Sequence, residues 1–132
     1  MTSYSIGKLA QLIHVTGELA AADSMYRNVF GGECYYEGYS PFEKRDASLL
    51  AIGDFVIEPM APADEEGADQ MPVGRFFGRF GAHLHSIALN VKGVPELYEH
   101  LRAHDIRVVG PGGSDPTQMP AEGSKSIYTH PK

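Results

Sequence analysis

A strand-then-helix unit that occurs twice limits this chain more than any other feature. Gln11 to Gly32 reads QLIHVTGELAAADSMYRNVFGG. Its first half alternates: Leu12, His14 and Thr16 face one way, Ile13 and Val15 the other, the period of a strand with one apolar face. After a break at Gly17-Glu18, Leu19, Ala22, Met25, Tyr26 and Val29 recur at helical spacing, and Phe30-Gly31-Gly32 closes the helix with residues that tolerate positive φ. An offset of 72 positions lays this unit on SIALNVKGVPELYEHLRAHDIRVVG, with His14 on Ser86, Met25 on Leu97, Tyr26 on Tyr98 and Val29 on Leu101. The order of pattern changes matches as well, which points to an internal duplication.

Between the copies, Glu33–Tyr39, Ala47–Ile52 and Phe55–Met60 read as strands. Pro59 has no backbone donor and is expected to end the ladder or sit at an edge. Ala61–Gly74, rich in Pro, Gly and acid, reads as a linker, and Arg75–Phe80 as an aromatic segment packed between modules or over a pocket. The second copy brings a strand over His83–Val91, a helix over Val94–His104 opened by Pro95, a strand over Ile106–Val109, a long loop over Gly110–Gly123 and a strand over Lys125–Thr129. The expected class is α+β: two βαβββ-type modules forming a cupped, mostly antiparallel sheet, the second module lacking its last strand. The 132 residues suit one domain, with module one at about 9–62, a linker at 63–80 and module two at 81–132.

Composition excludes several partners. The net charge is −6 and the basic residues are scattered, which argues against nucleic acid. No stretch is long and apolar enough to span a membrane, and MTSYSIGK lacks a signal peptide's regions, so a cytoplasmic setting is expected. Cys34 stands alone and reads as a small buried hydrophobe rather than a nucleophile.

Two polar residues in apolar ribbons carry the chemistry. Glu58 shares a strand face with Val56 and Met60, and His14 sits opposite the apolar face of its own strand. Both are expected on the face away from the helix, looking into one hollow. An imidazole and a carboxylate on neighbouring strands make half of a divalent metal site. The offset gives Ser86 as the partner of His14. His85, one position away, reaches that side only through a bulge or a one-residue shift. His104 and His130 read as surface imidazoles.

These segments together resemble the vicinal oxygen chelate superfamily, which includes glyoxalase I, methylmalonyl-CoA epimerase, extradiol dioxygenases and the bleomycin and fosfomycin resistance proteins. IHV, MYRNVFGG, IEPMAP, HSIALNV and IYTHPK look like family segments in family order, with EPMAP and THPK nearest the epimerase and glyoxalase branch. The resemblance implies a metal-dependent lyase or isomerase acting beside a carbonyl of a small oxygenated substrate or thioester. The implied ligands to a divalent ion (Zn, Ni, Co, Mn or Fe) are His14, Glu58 and His85, with Glu58 also catalytic and the fourth ligand on the strand the second module lacks. It allows two alternatives. One is a metal-free, drug-sequestering protein with Ser86 at the ligand position and Tyr35, Tyr36, Tyr39, Phe76 and Phe77 lining a cleft. The other is an extradiol dioxygenase using His14, His85 and Glu58. A homodimer is expected, because an incomplete module leaves a sheet edge to cover.

Overall fold

The computed structural model describes residues 3–110, 115–118 and 126–129. In order, the elements are β1 (Ser5–Val15), α1 (Leu19–Asn28), β2 (Glu33–Ser40), β3 (Arg45–Ile52), β4 (Phe55–Pro62), α2 (Pro72–Phe80), β5 (His83–Lys92), α3 (Val94–Ala103), β6 (Val108–Val109) and β7 (Tyr128–Thr129). The class is α+β, with the expected strand–helix order in both copies. The chain divides into two compact units, Lys8–Leu89 on the one hand and Met1–Gly7 with Asn90–Lys132 on the other.

In the first unit the sheet order is β2-β3-β4-β1-β5. β2–β3 and β3–β4 are antiparallel, while β1 runs parallel to β4. Gly53, at φ 59°, makes the two-residue turn that sets Ile52 opposite Phe55. Helices cover both faces. On one, α1 lies over β3 and β4, where Ala22, Leu50 and Ile57 are buried. On the other, α2 brings Val73, Phe76 and Phe77 onto Ile13, Val15, Ala47 and Met60. Val15 and Leu50 are fully buried, each contributing about 2 kcal/mol through its apolar surface.

Three expectations change. Pro59 neither ends β4 nor lies at an edge: the strand runs on to Pro62, between β3 and β1. The β3–β4 pairing is interrupted between Ala47↔Met60 and Leu50↔Ile57, and that gap accommodates a residue with no N–H to give. The second change is α2, which occupies much of the stretch read as linker and aromatic segment, after a 3-10 turn at Ala68–Gln70. Pro72 stands in its first turn, where a missing donor is harmless. Two glycines hide the helix from propensity, yet Gly74 is there for space: a Cβ on it would meet the Ala68–Asp69 backbone. The third is the length of the late strands, since the described parts of Ile106–Val109 and Lys125–Thr129 pair only over Val108–Val109 and Tyr128–Thr129.

In the second unit α3 packs on β6, and β6 pairs antiparallel with β7. Tyr98 of α3 is buried. Most of the loop expected over Gly110–Gly123, together with Lys125 and His130, lies outside the described residues. No helix among the described residues is long and apolar enough to cross a membrane.

Candidate functional site

Register decides which side chains meet. In the parallel β1–β4 pair, Ile13 lies opposite Glu58 and His14 opposite Pro59. Paired residues project to the same side and neighbours along a strand to opposite sides. Glu58 therefore shares its face with Gln11, Ile13, Val15 and Met60, the face that α2 covers in part. His14 projects to the other side, where its Nδ1 hydrogen bonds with the Tyr26 hydroxyl of α1 at 2.9 Å. The expected hollow shared by His14 and Glu58 is not formed, and the His14–Glu58–His85 set is not brought together. Both faces of β1 mix apolar and polar residues, so alternation alone assigned the wrong one to the helix.

His14 is instead part of the packing beneath α1. Desolvation lowers its pKa and raises that of Tyr26, so the contact joins two neutral groups. A histidine whose folded-state pKa is depressed contributes stability that is fully present above the unfolded value of 6.5 and is lost as pH falls through the folded one. Tyr26→Phe, which strands the imidazole nitrogen, is expected to lower stability by about 1 kcal/mol in urea titrations at pH 8. His14→Phe should shrink the loss of stability between neutral and mildly acidic pH.

The Glu58 face gathers a different set. The Gln11 side-chain amide donates to Glu58 Oε2. Arg45, from the start of β3, places Nη1 4.0 Å from Glu58 Oε1 and gives its Nε–H to Glu43 at 2.8 Å. The Glu58 side chain is only 14% exposed and that of Arg45 only 20%. Burial pushes the Glu58 carboxyl up and the Glu43 charge adds to that, while Arg45 and the Gln11 hydrogen bond pull it back. His85 joins from β5. Its ring meets Phe76 edge-on with centroids 4.7 Å apart, and Phe76 packs on the Ile13, Val15 and Met60 side. Burial lowers the His85 pKa and the Glu43 charge opposes the shift. Glu43 thus acts electrostatically on both Glu58 and His85. Since His14 faces α1, His85 needs no bulge to share the side of Glu58. Ser86 is its hydrogen-bond partner, at 2.9 Å.

Gln11, Glu43 and Arg45 were not foreseen. The one sign of Gln11 in the sequence is an amide within the otherwise apolar Gln11, Ile13, Val15 series. Glu43 and Arg45 fall between the segments that read as strands, and the start of β3 at Arg45 brings them to the site. The aromatics expected to line a cleft do not converge. Phe76 and Phe77 pack into the core, and Tyr39 hydrogen bonds to Glu65 at 2.6 Å. Tyr35 and Tyr36 border a shallow depression with Arg27, Cys34 and Glu37.

A carboxylate, an amide and an imidazole on one face suit a borderline divalent ion chemically, and the buried charge of Glu58 is only loosely compensated by Arg45. Elsewhere, Asp23, Cys34 and Glu37 bring ligand atoms within 4.8 Å of one another. Arg27 is ion-paired to both of those carboxylates, with Asp23 Oδ2 at 2.6 Å, and already serves as their cation.

Comparison with solved structures finds methylmalonyl-CoA epimerases among the similar folds. The enzyme from Mycobacterium tuberculosis has a TM-score of 0.77 at 18% identity, over 99% of this chain and 83% of that one. The Streptomyces coelicolor enzyme, in complex with 2-nitronate-propionyl-CoA, has a TM-score of 0.76 at 19% identity, over 96% and 87%. A hypothetical protein of Bacillus halodurans C-125 has a TM-score of 0.75 at 20% identity, over 98% and 86%. These likenesses concern the fold. Comparison with the curated proteins finds no match. The sequence itself matches the family model of the Glyoxalase/Bleomycin resistance protein/Dioxygenase superfamily over residues 8–126, and the chain belongs to that superfamily.

Proposed function

We propose that this protein is an isomerase of the epimerase type, moving a proton on the carbon beside the carbonyl of an acyl-CoA thioester. The observation that carries the reading is Glu58: a carboxylate with a raised pKa, set in a sheet face and acted on by Gln11, Arg45 and Glu43. A proton-transfer group works best when its pKa lies near the working pH, and burial moves Glu58 in that direction. The fold neighbours include an epimerase in complex with methylmalonyl-CoA, which makes thioesters the first substrates to try.

Glu58 Oε2 is engaged by Gln11, whereas among the described residues Oε1 has only Arg45 at 4.0 Å and is the oxygen left to take the proton. Arg45, fixed by Glu43, opposes the upward pKa shift and orients that oxygen before transfer. Phe76 and the rest of α2 exclude water from the inner edge of the site. Gln11, Glu58 and His85 are the residues that would hold a divalent ion, which when bound supplies positive charge against a developing enolate. His14 has no part in this. The expected homodimer also remains a proposal, with β2 and β5 as the sheet's edge strands.

The test is hydrogen exchange in deuterated water, followed by NMR at the carbon beside the thioester carbonyl of methylmalonyl-CoA and a panel of other acyl-CoAs. Exchange catalysed by the parent and by His14→Ala, but lost in Glu58→Gln, is the expected result. Exchange undiminished by Glu58→Gln, or none with any thioester, overturns the reading.

A further inference from the structure

We propose that α3 carries a second metal site, made of His100 and His104, for one borderline divalent ion such as Zn²⁺, Ni²⁺ or Cu²⁺. The two residues are one helical turn apart, so their side chains rise from the same stripe of the helix. Their ring centroids lie 4.4 Å apart with the planes tilted by 45°. Two imidazoles on one tetrahedral ion, with metal–nitrogen distances of about 2.0–2.1 Å, have centroids about 5 Å apart. The observed spacing is within about 1 Å of that value.

Three further features prepare the pair. His104 Nδ1 lies 2.8 Å from the His100 carbonyl oxygen. A carbonyl can only accept, so Nδ1 carries the hydrogen and Nε2 is left with its lone pair. This is the arrangement in which a protein carbonyl orients a ligating imidazole and fixes its tautomer. Tyr4 packs on the His100 ring with centroids 5.4 Å apart, restricting its rotation, while His104 is exposed and open to an ion. Finally, His104 caps the C-terminal end of α3, and Asp105 turns the chain away at φ 57°. The carbonyls of a last helical turn carry partial negative charge, which favours a cation there. Arg102, the nearby positive residue of that turn, lies over the Tyr98 ring. Imidazole pairs prefer zinc, nickel and copper to magnesium or calcium, which select oxygen ligands. Water completes the shell.

The site lies in the unit formed by Met1–Gly7 and Asn90–Lys132 and shares no residue with the Glu58 set, so the two are tested apart. Untagged full-length protein carrying Glu58→Gln and His85→Asn is dialysed against Ni²⁺ and Zn²⁺, and bound metal is measured. In parallel, sub-stoichiometric Ni²⁺ is added while imidazole NMR signals are followed. The expected result is about one ion per chain, with the His100 and His104 signals broadening first. His100→Asn and His104→Asn should each weaken binding on the order of tenfold or more, because the second imidazole adds its contact at high effective concentration. Excess Mg²⁺ should not displace the ion. Binding unchanged in His104→Asn, or His83 broadening before His100 and His104, overturns the proposal. Failure of the thioester exchange assay has no bearing on it.

Discussion

Glu58→Gln is expected to lower kcat/KM for thioester proton exchange by about 10²–10⁴-fold, while the folded protein becomes no less stable. The two halves of that result share one cause. Burial of the carboxylate raises its pKa, so the ionised form is disfavoured in the folded state. A raised carboxyl pKa means that the folded state binds more protons than the unfolded state between the two values. Stability therefore falls as pH rises from the ordinary 4.5 through the folded value. Glutamine keeps the shape and can still accept a hydrogen bond from Gln11, but it has no charge to desolvate. Its Tm should equal or exceed that of the parent at pH 8, with the difference shrinking toward acidic pH. The loss of rate follows from removing the proton-accepting oxygen, since general-base catalysis contributes about 10²–10⁴-fold. A Glu58→Gln variant that kept its rate and lost stability would make Glu58 a structural residue only.

The largest effect on folding is expected from the smallest change, Gly74→Ala. Alanine ordinarily favours a helix over glycine by about 1 kcal/mol, so propensity predicts stabilisation. The packing predicts the reverse. The added methyl would overlap backbone at Ala68 and Asp69 in the 3-10 turn, and main chain cannot step aside as a flexible side chain can. Relief requires α2 to lift from the turn, and α2 brings Val73, Phe76 and Phe77 to the core. A net loss of about 2–4 kcal/mol is expected, the range for overpacking plus part of a core contact. For a domain of this size that is a drop in Tm of roughly 10 °C. Because Phe76 also meets His85, the variant should weaken the site together with the fold. An unchanged or raised Tm would show that propensity outweighs packing at this position.

Much of the fold could be read from the chain because its strands and helices keep their periods. The alternation of Leu12 to Thr16, the helical repeat from Leu19 to Val29 and the strands over Ala47–Ile52 and Phe55–Met60 all stand where the pattern puts them. What could not be read was facing. A sheet covered by helices on both sides leaves both faces of β1 part apolar, so the pattern at Ile13 and Val15 does not tell which helix they meet. The choice depends on the pairing of Ile13 with Glu58, a contact far apart in sequence. That pairing turns His14 toward α1 and puts Gln11 beside Glu58. The helix α2 was hidden for another reason: Pro72, Gly74 and Gly78 are poor helix formers, and tertiary contacts at Val73 and Phe76 outweigh their preferences. His85 is a candidate by its place beside Ser86, although the pattern alone puts it on the side of β5 away from Glu58.

The division of labour along β1 has a consequence for how such a protein can diversify. Position 11 reaches the Glu58 carboxylate while position 14 is tied into the layer under α1, and the two project in opposite directions from one strand. Descendants of this gene can therefore vary the residue at 11, and with it the chemistry on offer, without loosening the scaffold that 14 helps to hold. Selection acts on the two sides of the same few residues almost as if they belonged to separate genes.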